Sequence, residues 1–214
     1  MLNLEFPKNI NSVLFIGAHA DDIEIGCGAT ILKLLSNRSD IKVDWLICSS
    51  DPIREQEASL SAQKFLQHAG SSNIIIHDFQ DGYLPAQFSS LKDKFENLKL
   101  TTNPDLIFTH YKNDYHQDHK IVSELTWNTF RDHFILEYEI PKYDGDIGNP
   151  NIYSVLKDSE VEQKVQIILE SFKSQVNKQW FNESLFRSLM RLRGMECSVT
   201  YAEAFYCRKV SIKI

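Results

Sequence analysis

Four short apolar runs constrain this chain's fold more than any other feature: residues 12–16, 43–48, 73–76 and 106–108. Each reads as a fully buried strand, too short for a core helix and rich in β-branched and aromatic residues. Helix-period segments lie between them. Ala58, Ala62, Phe65, Leu66 and Ala69 recur at helical spacing after the second run, as do Phe88, Leu91, Phe95 and Leu98 before the fourth. Strand alternating with helix predicts an α/β, Rossmann-like fold, with a mostly parallel sheet, right-handed crossovers and flanking helices.

The second half is less regular. Ile121, Val122 and Leu125 predict a helix, and the alternation of Phe134, Leu136, Tyr138 and Ile140 predicts a strand with one buried face. Residues 141–150, bounded by prolines, have the chemistry of a loop and read as an exposed lid or rim. Val161, Val165, Ile168, Leu169, Phe172 and Val176 form an apolar stripe on a long helix, and a last strand is expected over 201–209. No repeat, low-complexity tract or linker divides the chain, so residues 1–214 read as one domain.

Polar residues follow each strand. The first run leads into Gly17-Ala18-His19-Ala20-Asp21-Asp22, the second into Ser49-Ser50-Asp51, the third into His77-Asp78 and the fourth into Thr109-His110. Open parallel sheets bind ligands outside the carboxyl ends of their strands, where such groups converge from distant positions. In a strand-to-helix turn, His19 and Asp22 can face one cation while Asp21 points elsewhere. Asp22, at the helix start, is kept ionised by the macrodipole. The competing reading makes Asp21 or Asp22 a simple N-cap. The second cluster, His116-Gln117-Asp118-His119, places two histidines on one side of a helix start. One could ligate a metal while the other keeps a proton and is oriented by Asp118. Two histidines and a carboxylate with room for water make an open catalytic metal site, suited to zinc and equally to non-haem Fe(II). A polar surface turn is the bland alternative.

Other function classes fall away on simple grounds. Gly26 and Gly28 do not make a dinucleotide fingerprint, because Ile31 stands where the third glycine belongs. They read instead as small residues permitting close helix–sheet packing. The formal net charge is −6 with no basic patch, which excludes a nucleic-acid binder. No apolar run nears the ~20 residues of a membrane span, and residues 1–7 do not read as a signal peptide. Cys27, Cys48, Cys197 and Cys207 form no CxxC pair and read as reduced thiols of a soluble, cytoplasmic protein. Trp45 and Trp180 are expected in the core, and His68, His77 and His133 are expected to be structural, with His110 placed behind the ligands.

Residues 18–28, Ala-His-Ala-Asp-Asp-Ile-Glu-Ile-Gly-Cys-Gly, resemble the signature of the PIG-L/LmbE-like zinc-dependent N-acetylglucosamine deacetylases, and residues 116–119 resemble that family's second, HxDH-type motif. Weaker similarities lie at Arg54-Glu55-Gln56-Glu57, Asp81-Gly82, Arg193-Gly194 and Tyr201-Ala202-Glu203-Ala204-Phe205. The chain departs from the family at Ala20 and Gln117, where proline is usual, and at Ala29, often glycine; no ligating atom is lost. The resemblance implies that His19, Asp22 and His119 hold Zn2+, that Asp21 takes a proton from the attacking water, and that a protonated His116, held by Asp118, stabilises the oxyanion. His116 or Asp21 would then protonate the departing amine. It further implies substrate contacts by Arg54, for which a salt bridge to Glu57 or Asp51 is the alternative, and by Asp81, otherwise part of a plain turn. The implied substrate is a small N-acetylated amino sugar or its conjugate, and the family often assembles as homo-oligomers. A metal-dependent phosphoesterase, an Fe(II) enzyme or a non-catalytic binding protein are the competing functions.

Overall fold

The computed structural model describes Glu5 and residues 9–211; the rest of residues 1–7, where no signal peptide is expected, lies outside the described residues. The elements run β1 (Ser12–Gly17), α1 (Asp22–Asn37), β2 (Lys42–Ser49), α2 (Pro52–Phe65), β3 (Ser71–Phe79), α3 (Phe88–Thr101), β4 (Leu106–His110), α4 (Gln117–Thr129) and β5 (Phe134–Tyr138). They continue with β6 (Ile152–Leu156), α5 (Asp158–Ser171), α6 (Glu183–Glu196) and β7 (Tyr201–Tyr206). The strands form one sheet in the order β3-β2-β1-β4-β5-β7-β6. The first five are parallel, and β7 runs antiparallel to both β5 and β6. This is the α/β, mostly parallel architecture read from the sequence.

Side chains alternate across a strand, so β1 feeds two cores. Val13 and Phe15 pack in one with residues of α1, α2, α5 and α6. Leu14 and Ile16 pack in the other with residues of α3 and α4. Because β2 and β4 flank β1 on opposite sides, the strand order reverses there, and a crevice opens beyond the carboxyl ends of β1 and β4. The two histidine motifs follow those two strands.

Gly26 lies against the ring of Tyr138 on β5, and a Cβ on Gly28 would come within 2.8 Å of Phe65 on α2. Both act as the close-packing residues expected of them. The backbone of α1 breaks its helical path at Cys27, with φ −145° and ψ 15°. Glu203 of β7 bridges the break by accepting from the amides of Ala29 at 3.0 Å and Thr30 at 2.7 Å. Lys164 donates to the freed carbonyl of Ile25 at 2.6 Å and to Glu203 at 2.6 Å.

Several expectations change. β3 is an edge strand with no fully buried residue, since only β2 pairs with it. β5 is covered on both faces, because Leu136 and Tyr138 pack into one core and Ile135 into the other, while β4 and β7 pair with its two edges. The helix expected to reach Val176 stops at Ser171, leaving Val176 exposed, and the last strand stops at Tyr206. β6 and α6 were not expected. Trp45 is buried, and Trp180 is partly buried against the same core. Cys27, Cys48 and Cys197 are buried free thiols, and Cys207 is half-buried. No helix among the described residues is long and apolar enough to cross a membrane.

Candidate metal centre

His19 lies in the turn between β1 and α1, and its backbone N–H donates to Asp22 Oδ2 at 2.6 Å, which draws the carboxylate back over the strand end. Asp21 occupies the N-cap position of α1 yet makes no capping bond with its side chain, so the N-cap reading does not describe what its carboxylate does. His116 caps α4, with Nδ1 accepting from the Asp118 N–H at 3.3 Å. His119 sits in the first turn of α4, buried.

These segments meet. His19 Nδ1 is 3.3 Å from Asp22 Oδ2 and 3.3 Å from His119 Nε2, and His119 Nε2 is 3.5 Å from Asp22 Oδ1. Donors at about 2.0–2.1 Å from a tetrahedral zinc stand roughly 3.3–3.4 Å from one another. The two imidazole nitrogens and the Asp22 carboxylate, which turns a different oxygen to each of them, make a triangle of side chains at separations that suit a shared metal ion. Three donor sets share residues with it, His116 with His19 and His119, His110 with Asp22 and His119, and Asp81 with Asp118 and His19, each within 4.8 Å.

Each imidazole of the triangle has a carboxylate on its far nitrogen. His19 Nε2 lies 3.2 Å from Asp118 Oδ2 and 3.1 Å from Asp81 Oδ1. His119 Nδ1 lies 2.9 Å from Asp114 Oδ2. Such partners fix the tautomer and orientation of metal-binding histidines. Asp118 thus serves His19, not His116 as the local spacing suggests. Its two oxygens also accept from the amides of Gly82 at 2.7 Å and Leu84 at 3.1 Å, holding the 81–84 turn over the site. Asp81 stands in that turn with its side chain 79% exposed.

The electrostatics favour a cation. Burial opposes charge on His19, but the carboxylates of Asp22, Asp118 and Asp81 outweigh it and raise its pKa well above the usual histidine value. Burial likewise penalises the Asp22 carboxylate, and the surrounding imidazoles of His119, His110 and His19 hold its pKa well below the ordinary range. Burial, with His119 and His19 close by, lowers the pKa of His116. Asp21 differs from its neighbour. Burial raises its pKa, and Arg54, whose NH2 is 2.7 Å from Asp21 Oδ2, works against that rise.

Arg54 is held from three sides: NH1 is 2.9 Å from Glu57, NH2 meets Asp21, and the guanidinium lies 5.0 Å from the Phe172 ring centre. The Glu57 bridge expected as an alternative is present, whereas Asp51 caps α2 through the amides of Ile53 and Arg54. Sequence reasoning missed Asp114 and Lys142. The signal for Asp114 was a carboxylate in the loop just ahead of the second motif. His110, expected behind the ligands, is fully buried there, stacked 4.0 Å from His119 and 3.1 Å from Asp22 Oδ2.

Comparison with known proteins agrees with this fold. The conserved protein TT1542 from Thermus thermophilus has the same fold, with TM-score 0.73 at 20% identity over 94% of this chain and 96% of that one. So does the N,N'-diacetylchitobiose deacetylase of Pyrococcus horikoshii, with TM-score 0.66 at 20% identity over 94% and 84%. The 4-carboxy-2-hydroxymuconate hydratase GalB of Pseudomonas putida KT2440 shares it too, with TM-score 0.69 at 14% identity over 95% and 98%, so fold alone does not fix the reaction. The uncharacterized deacetylase YaiS of Escherichia coli (strain K12) is 30% identical over 139 residues, 60% of this chain and 74% of that protein. The family model described as PIG-L, GlcNAc-PI de-N-acetylase, matches residues 14–130, more than half of the sequence and the stretch that carries both histidine motifs, and this chain belongs to that deacetylase family.

Proposed function

We propose that this protein, acting as one domain, hydrolyses the N-acetyl group of a small N-acetylated amino sugar or its conjugate, with Zn2+ held by His19, Asp22 and His119. The observation that carries this reading is the convergence of the His19 and His119 nitrogens on each other and on the Asp22 carboxylate at 3.3–3.5 Å, with Asp21 next in sequence and held by Arg54. A divalent metal in that position supplies Lewis-acid polarisation of the amide carbonyl and lowers the pKa of water from about 15.7 to about 7. Fe2+ suits the same donors.

The chain's own groups do the rest. Asp21 accepts a proton from the attacking water; its raised pKa brings it nearer to that of an efficient base, and Arg54 fixes its position. His116 accepts an amide N–H at Nδ1, which leaves its proton on Nε2. That N–H donates to the carbonyl oxygen as negative charge builds there. The neutral imidazole suffices for this, in keeping with its lowered pKa, and replaces the protonated His116 of the sequence reading. Asp21 then passes its proton to the departing amine. Asp118 acts through His19 and the 81–84 turn, and exposed Asp81 is placed to meet a sugar hydroxyl. Arg54 acts first on Asp21 and reaches substrate only at the edge of that ion pair. Free thiols fit a reducing, cytoplasmic setting.

The deciding experiment incubates the Zn2+-loaded protein with a panel of N-acetylglucosaminyl compounds and measures acetate and primary amine together. Equal release of both is expected from at least one compound. Release of phosphate from phosphorylated analogues, or of nothing from any compound, overturns the reading.

A further inference from the structure

The carboxylate behind His119 belongs to a larger buried cluster. Asp114 Oδ1 accepts from the His116 N–H at 2.8 Å, while Oδ2 meets both His119 Nδ1 at 2.9 Å and Lys142 Nζ at 2.8 Å. The same ammonium lies 2.7 Å from Asp146 Oδ1. Asp146 Oδ2 accepts from the Tyr115 N–H at 2.6 Å. The side chains of Asp114 and Asp146 are 2% and 3% exposed, so two carboxylates share one cation almost out of water. Such a group holds together only while its charges stay matched. Although burial opposes it, His119 and Lys142 keep the Asp114 carboxyl well below the ordinary range.

Lys142 and Asp146 both come from residues 141–150, the connection between β5 and β6. That segment has no helix or strand, and its tip, Tyr143, is 79% exposed. Its far end is tied elsewhere, through Gly148, whose N–H donates to the Tyr206 hydroxyl at 3.1 Å and whose carbonyl accepts from Arg193 at 3.0 Å. At the near end Lys142 and Asp146 tie it to the cluster, and Lys142 touches the same carboxylate oxygen that orients His119.

We propose that Lys142 is a positioning residue that couples the 141–150 rim to the metal centre through Asp114 and His119, so that metal occupancy and the order of this rim are linked. The proposal rests on the metal reading above. Linkage is reciprocal: a rim that aids the metal is itself steadied by the metal. Without the ammonium, Asp114 and Asp146 repel across a buried gap, the rim loosens and His119 loses its fixed orientation. Losing such an outer partner weakens metal binding by about 10–100-fold.

The test uses Zn2+ alone as ligand, with affinity read by competition against a chromophoric chelator and rim order by hydrogen exchange of the 141–150 peptide. In the wild-type chain, Zn2+ should slow that exchange. Lys142→Met should bind Zn2+ about 10–100-fold more weakly and lose the slowing, and Lys142→Arg should restore both. Asp146→Asn keeps the Lys142–Asp114 contact and weakens the rim's own tie, so it should hold Zn2+ nearly as wild type does yet show less slowing. This second variant keeps the test open should Lys142→Met fail to fold. Wild-type affinity in Lys142→Met, or equal slowing in every variant, overturns the coupling while leaving the metal centre intact. Failure of the wild-type chain to bind Zn2+ overturns the metal reading itself.

Discussion

Asp118 and His19, 99 residues apart in sequence, meet with Oδ2 of the carboxylate 3.2 Å from Nε2 of the imidazole. The contact turns Nδ1 of His19 toward Asp22 and His119, so a residue after β4 sets the aim of a residue after β1. Asp118→Asn keeps the shape and discards the charge that fixes this tautomer. It should weaken Zn2+ binding about 10–100-fold, read by chelator competition. Asp118→Ala should additionally cost about 1–3 kcal/mol of stability, because the buried amide of Leu84 and that of Gly82 lose their acceptor.

Asp21 and His19 are neighbours with separable duties. Asp21→Asn leaves the three donors in place and removes the proton acceptor. Its Zn2+ content should match the wild-type chain while turnover falls by about 10²–10⁴-fold. His19→Ala should lose metal and turnover together. Metal analysis of the purified variants beside their acetate-release rates separates the two, and near-normal turnover in Asp21→Asn would remove Asp21 from the chemistry.

The parts of this site that were legible in the sequence share one property: their signal is local. Apolar runs of three to six residues leading into His and Asp show in the sequence because a parallel sheet places its ligands there. The pairings Asp118–His19 and Asp114–His119–Lys142 do not show, because nothing in the spacing of a motif says which distant imidazole its carboxylate will face. Asp118 stands two residues from His116, yet the helix start directs its side chain toward the 81–84 turn and His19. β6 and α6 escaped for a related reason. α6 does carry Leu185, Phe186, Leu189 and Met190 at helical spacing, but its inner face runs on into a buried Arg193, a charge that spacing alone does not place inside. Arg193 lies inside because Glu139 neutralises it with two contacts of 2.6 and 2.7 Å, a pairing across 54 residues.

Glu24 gives the protein a stability that depends on pH. In sequence it is an ordinary first-turn acid; in the fold it is wholly buried, and burial pushes its pKa up to about 8, the nearby Ser61 hydroxyl offsetting only part of the effect. The unfolded chain, with a glutamate pKa of about 4.3, releases a proton that the folded chain keeps. The contribution is complete below the unfolded pKa and declines as pH rises, by up to about 1.4 kcal/mol per pH unit, until the folded group ionises. Glu24→Gln removes this dependence. Urea unfolding of chelator-stripped protein from pH 5 to pH 8 should therefore show the variant gaining stability relative to wild type with each step. A constant difference across that range would mean that Glu24 titrates alike in both states.

The Lys164–Glu203 pair makes the broken helix α1 tenable five residues beyond Asp22. The break at Cys27 frees the Ile25 carbonyl and the amides of Ala29 and Thr30, and these three groups are taken up by Lys164 and Glu203. Both side chains are almost fully buried, so neither charge has water to fall back on. Lys164→Met should cost about 3–5 kcal/mol, since it strands a carboxylate in the core. Lys164→Met combined with Glu203→Gln should recover part of that loss, because the stranded charge is gone while an amide oxygen still accepts from α1. Recovery should be incomplete, because Ile25 keeps an unmet carbonyl. Denaturant midpoints of the two single variants and the double variant give the coupling directly. If the two losses simply add, the pair is not the unit that holds α1 across its break.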